Sequence, residues 1–283
     1  MKRKILIIAL IAIMSEMAFP IMRANPTEVV PEGEFRVSFD LSRDSRHIKY
    51  DIGDDVHYVS NRILVKPSIS VSSSPLIEVY LLAGTADLYR GKTSYYLDDF
   101  KGSYELAGGL GAKADLTGFD LDYYGNYRIN FYADIRYFKT RSIGTTRIRA
   151  MSGDPSETFY EKDNYNWNEY SLSLYASLNY IDWQNVIPYL GIEWFYLETT
   201  YDRGLYKMVS DEESESRVRV NLEDEGGRAY FNDPQQWPKI VLGSDFKLES
   251  GLVISVEAII WGKKSTSVSI GASHYSKKEK RFQ

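Results

Sequence analysis

The stretch Asn126 to Phe138, NYRINFYADIRYF, divides cleanly on alternate positions. Tyr127, Ile129, Phe131, Ala133, Ile135 and Tyr137 form an apolar set with a tyrosine at each end, and Asn126, Arg128, Asn130, Tyr132, Asp134 and Arg136 form a polar one. A side-chain period of two belongs to a β-strand, whose successive residues point to opposite faces. The pattern recurs along the chain. Phe35, Val37, Phe39 and Leu41 oppose Arg36, Ser38, Asp40 and Ser42; Tyr170, Leu172, Leu174, Ala176, Leu178 and Tyr180 oppose Glu169, Ser171, Ser173, Tyr175, Ser177 and Asn179. Leu190, Ile192, Trp194 and Tyr196 oppose Tyr189, Gly191, Glu193 and Phe195, and Leu252, Ile254, Val256, Ala258 and Ile260 oppose Val253, Ser255 and Glu257. A chain of such strands must bury its apolar faces in a core or set them against lipid.

About ten strands are predicted, near 34–43, 60–72, 76–90, 103–117, 126–140, 166–181, 186–200, 238–248, 251–262 and 266–275. No segment of helical length shows a period of 3.6 residues. The connections alternate in length. Residues 72–75, 118–125, 182–185 and 249–251 are short turns, whereas 44–59, 91–102, 141–165 and 201–237 read as long loops; the short connection near 262–265 breaks the alternation. In an up-and-down barrel this places those four short turns at one end, the asymmetry of transmembrane barrels. Tyr127 and Tyr137 are ten residues apart, as are Tyr170 and Tyr180. Ten residues at ~3.3 Å, tilted by ~40°, rise ~25 Å, the height of a lipid-facing band between two aromatic girdles.

The N-terminus reads as an export signal: Lys2, Arg3 and Lys4, then the apolar run Ile5 to Met14, which is too short to span a bilayer. The candidate cleavage sites follow Ala18 and Ala24, and neither matches the usual pattern well, since Glu16 or Met22 occupies the position normally held by a small residue. The expected organisation is a signal peptide over 1–24, a polar lead over 25–33, a barrel over 34–275 and a basic tail over 276–283. The chain has no cysteine, which excludes disulfides, thiolate metal sites and a lipidated N-terminal cysteine. A net charge of −5 gives no electrostatic support to a nucleic-acid partner.

With strands, unequal connections, tyrosine spacing and export signal together, the chain resembles small Gram-negative outer-membrane β-barrel proteins of the porin-like, opacity and OmpA-transmembrane type. The resemblance covers most of 34–275 and is carried best by SNRILVKPSISVSSSPLIEVYLLAGTADL (60–88), VIPYLGIEWFYLE (186–198) and TSVSIGASHY (266–275). It implies an all-β, antiparallel transmembrane barrel of about ten strands in the outer membrane, in contact with outer-membrane lipid and lipopolysaccharide and assembled by the barrel insertion machinery. Such barrels end on an aromatic in phase with the lipid-facing residues. Tyr275 is out of phase, leaving Tyr275 or Phe282 as the insertion signal. The peptidoglycan-binding domain of OmpA-type proteins is absent from 34–283.

If the apolar faces meet lipid, Arg36, Asp40, Arg62, Lys66, Glu105, Lys113, Arg128, Asp134, Arg136, Glu193, Asp245, Lys247 and Glu257 face the lumen, and Tyr127, Tyr137, Tyr170, Tyr180, Trp194 and Tyr196 line the water–lipid boundaries. The lumen charges are then either a paired network filling a narrow barrel or a weakly selective pore; narrow barrels are usually filled. No cofactor or metal motif is legible. Gly108, Gly109 and Gly111 lack phosphate-loop spacing and fit a bend or close approach within a strand. The acids Asp211, Glu212, Glu213, Glu215, Glu223, Asp224 and Glu225 flank an alternating piece, Arg217 to Leu222, that fits a hairpin extending the wall; the acids read as a solvated loop or a divalent-cation contact to lipopolysaccharide. The tail residues Lys277, Lys278, Lys280 and Arg281 read as solvated. His57, in the first long loop, and Ser60 are three apart and in an extended segment would face opposite ways, forming no dyad; His274 and Ser276 share a face but have no evident third partner. The role read from these features is non-enzymatic: porin-like, structural or surface-binding. An outer-membrane protease of the omptin type or a lipid hydrolase is the alternative, and a soluble secreted barrel with its polar face outward is a third reading.

Overall fold

The computed structural model describes residues 27–32, 34–49, 55–73, 76–92, 98–123, 126–148, 159–180, 185–210, 217–223, 231–232, 238–248, 250–261 and 265–276. They form fourteen strands and no helix: β1 Phe35–Lys49, β2 Asp55–Ser73, β3 Leu76–Ala86, β4 Tyr89–Arg90, β5 Phe100–Lys101, β6 Glu105–Asp120, β7 Tyr127–Ile148, β8 Phe159–Tyr180, β9 Val186–Ser210, β10 Arg217–Glu223, β11 Phe231–Asn232, β12 Lys239–Lys247, β13 Leu252–Trp261 and β14 Ser265–Ser276. Ten of them close into an antiparallel barrel in the order β1, β2, β3, β6, β7, β8, β9, β12, β13, β14 and back to β1. β4, β5, β10 and β11 are attached to its walls. Each of the ten strand segments predicted from the sequence contributes one barrel strand; the segment 76–90 divides into β3 and β4.

The register fixes the dimensions. Carried across the ladders from Ser70 through Glu78, Lys113, Asp134, Ser173, Glu193 and Lys239, it returns to β2 at Tyr58, twelve residues away. A stagger of twelve over ten strands implies a tilt of ~40° and, at ~4.8 Å between strands, a backbone radius of ~10 Å. Arg36, Arg62 and Tyr175 are among the largest fully buried side chains on its inner face.

The two faces separate as the alternation requires, with the apolar face outward. Phe35, Val37, Phe39, Leu41, Ile63, Val65, Leu81, Leu110, Ile135, Leu172, Leu190, Ile192, Ile240 and Leu242 are all exposed, while Arg36, Ser38, Asp40, Arg62, Lys66, Glu78 and Lys113 are buried. Soluble monomers do not expose a contiguous apolar belt around their full girth. This inside-out arrangement overturns the reading of a soluble barrel with its polar face in water.

Three of the expected long loops are largely strand. β1 and β2 stay paired to Lys49 and Asp55, β7 and β8 to Ile148 and Phe159, and β9 continues to Ser210, where β10 folds back on it. The hairpin read at Arg217 to Leu222 is β10, paired with β9 over Ser210 to Leu205. The sequence hides these extensions because both of their faces are polar. Lys139, Arg141, Thr145 and Arg147 alternate with Thr140, Ser142 and Thr146, so the ladder continues after the hydrophobic period has stopped. The barrel is therefore taller on the β7–β9 side. Below, its lower end holds the short turns and both barrel termini, Phe35 and Ser276.

The filled lumen as candidate functional site

The lower mouth is occupied by the chain itself. Thr27, Val29 and Val30, expected within an open polar lead, are buried inside the barrel. A turn closed by Glu34 N–H donating to Pro31 O (3.1 Å) reverses the chain just before β1 and sends it inward. Val29 then packs with Tyr132, Tyr175, Tyr189, Val241 and Ile259. The mouth's charged side chains take hold of the segment's backbone. Arg36 Nη1 (3.3 Å) and Lys113 Nζ both donate to Glu28 O, Val30 N–H donates to Glu78 Oε2 (3.1 Å), and Thr27 N–H donates to Asp245 Oδ2 (3.3 Å). Thr27 Oγ1 bonds the same Asp245 oxygen, and Lys247 pairs with the Glu28 carboxylate.

Above the mouth lies a band of paired charge. Arg36 Nη2 donates to both Glu78 oxygens at 2.5 Å, with Lys113 3.6 Å from the same carboxylate. Lys66 sits over the Tyr80 ring at 3.9 Å, and Tyr80 Oη donates to Asp134 Oδ1 (2.6 Å). Arg136 is 3.7 Å from Glu193, and Tyr189 Oη donates to Glu257 Oε2 (3.2 Å). Glu78, Lys113, Asp134, Glu193 and Lys239 share one register line, so charge signs largely alternate from strand to strand. Opposite charges at neighbouring cross-strand positions satisfy one another where water is scarce. Three tyrosine rings, Tyr80, Tyr175 and Tyr189, lie over Gly111, Gly191 and Gly243, their direct cross-strand partners. The glycine cluster at 108–111 is thus strand, and Gly111 serves close approach.

Higher still, Arg62 donates to both oxygens of Glu169, at 2.9 Å through Nη1, stands 3.7 Å from Asp44 and lies 4.6 Å from the Phe138 ring centre. An apolar cluster of Val56, Tyr58, Leu88, Phe100, Tyr165, Trp167, Phe195 and Leu197 lies in the upper lumen. Arg90 threads it, 3.3 Å from both Asp163 and Thr146. Outside the wall, Arg147 grips Asp98 through two hydrogen bonds, which hold that carboxyl below its usual range.

Ten of the thirteen charges assigned to the lumen from sequence are buried there: Arg36, Asp40, Arg62, Lys66, Lys113, Asp134, Arg136, Glu193, Asp245 and Glu257. The other three keep the inward phase but stand at the rims. Arg128 is half exposed and 3.7 Å from the equally exposed Asp120; Lys247 holds Glu28 at the lower mouth; Glu105 accepts from Ser103 Oγ (2.7 Å) at the upper end. Each lies at or near a strand end, where the wall no longer shields its inner face. Sequence reasoning missed Glu78, Asp44, Arg90, Asp163 and Lys239, and left Glu169, placed on the polar face of its strand, out of the lumen charges. Glu78 lies in IEVYLLAG, where inward Tyr80 and Leu82 mask the alternation; Arg90, Asp163 and Asp44 lie in stretches read as loop or loop border.

Among the boundary aromatics, Tyr127 stacks on Tyr180 at 4.5 Å near the lower end. Tyr137, Tyr170 and Tyr196 form a second row with centroids 5.1 and 5.9 Å apart. Trp194 lies two residues below Tyr196, facing outward. An apolar belt between two tyrosine rows surrounds a polar, filled interior. The fold is that of an outer-membrane β-barrel.

No family model matches the sequence, and no curated protein is similar to it. Among solved structures, the chain is similar to the translocator domain of autotransporter NalP from Neisseria meningitidis (TM-score 0.43, 11% identity, covering 87% of this chain and 90% of that one). It is also similar to the outer membrane protease OmpT from Escherichia coli (0.38, 9%, 88% and 98%) and to an outer membrane channel from Pseudomonas putida F1 (0.38, 9%, 88% and 97%). At these values the likenesses carry no functional assignment.

His57, in the expected first loop, lies on β2 and meets Ser45 Oγ through Nε2 at 2.8 Å, whereas Ser60 donates to Asp87 O. His274 is exposed at the lower end of β14, and Tyr275 pairs with Arg36 in the ladder. The export signal, the acids at 211–216 and 224–225, Phe282 and the basic tail lie outside the described residues.

Proposed function

We propose that the chain is an integral protein of the bacterial outer membrane whose barrel is closed to solute flow and serves as a rigid base for the wall above the belt. The observation that carries this reading is the filled lumen: a peptide segment below, an ion-pair band in the middle and an apolar cluster above. Water-filled channels are typical of barrels with 16 or more strands, and a backbone radius of ~10 Å leaves little room once such side chains point inward. The short-turn end then faces the periplasm and the tall β7–β9 wall faces the exterior. Outer-membrane lipid and lipopolysaccharide surround the belt, and the barrel insertion machinery assembles it. The role is non-enzymatic, structural or surface-binding, through the exposed Lys139, Arg141, Lys162 and Arg147 on that wall.

Fractionation combined with heat-modifiable gel mobility tests the location; full solubility without detergent would overturn it. Planar bilayers test closure. Purified protein is expected to give no stepwise conductance, and discrete, reproducible steps would show an open pore.

A second reading attaches to Ser45 and His57, whose 2.8 Å contact is the geometry of a nucleophile and its base. Labelling of the folded protein by a fluorophosphonate, lost in Ser45→Ala and His57→Ala, would establish a hydrolase. No labelling removes that reading.

A further inference from the structure

The lower mouth holds Thr27 to Val30 mainly through their backbone. Lys113 and Arg36 share the carbonyl of Glu28, while the carboxylates of Glu78 and Asp245 take the N–H groups of Val30 and Thr27. Two cations facing one carbonyl and two anions facing two N–H groups read the polarity of a peptide chain whatever its side chains. Sequence preference enters at three points. Val29 fills a pocket of Tyr132, Tyr175, Tyr189, Val241 and Ile259; Thr27 Oγ1 reaches Asp245; the Glu28 carboxylate reaches Lys247. The groups that bind the segment are wall residues on β1, β3, β6 and β12, and Arg36, Glu78, Lys113 and Asp245 are wholly or almost wholly buried.

From this geometry we infer that the lower mouth is a peptide-binding site, selective for a short apolar-centred segment and occupied in cis by residues 27–30, which act as a removable plug. The plug is covalently joined to the barrel only through the turn before β1, and none of its residues belongs to the barrel ladder. It can therefore leave without breaking a wall hydrogen bond. Its departure exposes to water the buried charges that now bind its backbone, and these are the groups that would receive another peptide of the same kind. The inference rests on the barrel fold and is independent of the surface role proposed above.

The chain has no cysteine, so one introduced thiol reports on the lumen without interference. Ser273, buried on the inner face of β14 and not in contact with the plug in any bond described above, is the reporter site. In full-length Ser273→Cys protein, a membrane-impermeant maleimide is expected to react slowly. Adding Val29→Asp, which places a charge in the tyrosine pocket, is expected to raise the labelling rate at least 10-fold. Deleting residues 27–30, which leaves every barrel strand intact, should do the same, with unchanged heat-modifiable mobility certifying the fold in both cases. A synthetic peptide of residues 27–34, TEVVPEGE, is expected to slow labelling again in the deletion variant, whereas the same peptide with aspartate at the Val29 position should not. Labelling that stays equally slow after deletion, or that is already fast in the intact chain, would show that the segment is no plug. Failure of the peptide to protect the deletion variant would show that the mouth is not a peptide site.

Discussion

Arg62 on β2 and Glu169 on β8 meet across the lumen through two hydrogen bonds, although 107 residues separate them in sequence. They are four strands apart around the ring, so the pair is a strut between distant parts of the wall. Both side chains are essentially inaccessible to water, which makes their mutual dependence strong.

Removing one partner strands the other. Glu169→Ala leaves a buried guanidinium with only Asp44, at 3.7 Å, as its remaining carboxylate in this network. The expected loss is ~3 kcal/mol, toward the low end for breaking a buried pair because Asp44 compensates in part. Replacing both, as Arg62→Met with Glu169→Leu, should cost less than the single change. Urea unfolding in lipid vesicles measures both, and a single-variant loss below ~1 kcal/mol would deny the strut its role.

Ile135 is 60% exposed on the outer face of β7, two residues below the upper tyrosine row. If that face meets lipid, Ile135→Arg should destabilise the membrane-inserted barrel by ~2–4 kcal/mol. Asn130→Arg, in the opposite phase beside Arg128 at the lower rim, should be much better tolerated. Equal effects of the two substitutions on insertion into vesicles would contradict the assignment of faces.

The turn between β6 and β7 is clamped by Asp122, whose carboxylate accepts from Tyr127 N–H (3.0 Å) and Asn126 Nδ2 (2.8 Å). The Tyr127 N–H bond is the main cause holding the Asp122 carboxyl below its ordinary value. The folded value is depressed, so the clamp is fully present above the unfolded-state value and is lost as pH falls through the folded one. Intrinsic-rate-corrected exchange of the Tyr127 amide should therefore speed up only at pH values below the usual carboxylate range. Asp122→Asn should remove that acid dependence. A pH-independent protection factor in the native chain would dismiss the clamp.

At Gly111 a methyl group would collide with the Tyr80 ring and approach Ile135 O closely. Gly111→Ala is expected to cost ~1–3 kcal/mol by overpacking. Combining it with Tyr80→Leu should give less than the sum of the two single losses, because the same contact is removed twice. Strict additivity in a double-mutant cycle would show that the ring and the glycine are not coupled.

The legibility of this chain follows its surroundings. Where one face meets an apolar medium and the other a polar lumen, as at 126–138 and 170–180, the period of two is written into the residues, and it predicted a barrel strand in each of its ten segments. Above the belt both faces are polar, so β7 beyond Thr140 and β8 before Asn166 read as loop although their backbones are fully paired. In β3 the lumen itself is partly apolar, at Tyr80 and Leu82, and Glu78 was hidden among hydrophobic neighbours.

The sequence by itself determined the ten barrel strands, the alternation, the ten-residue tyrosine spacing and the parity of the thirteen charges assigned to the lumen, because these depend only on side chains one or two positions apart. It did not determine which charge meets which. Arg62 with Glu169, Arg36 with Glu78 and Arg136 with Glu193 are set by the twelve-residue stagger of the closed barrel, a property of all ten ladders together. Nor did it show that Thr27 to Val30 turn back into the mouth. That placement is decided by carboxylates and cations gathered from β1, β3, β6 and β12, which become neighbours only when the sheet closes.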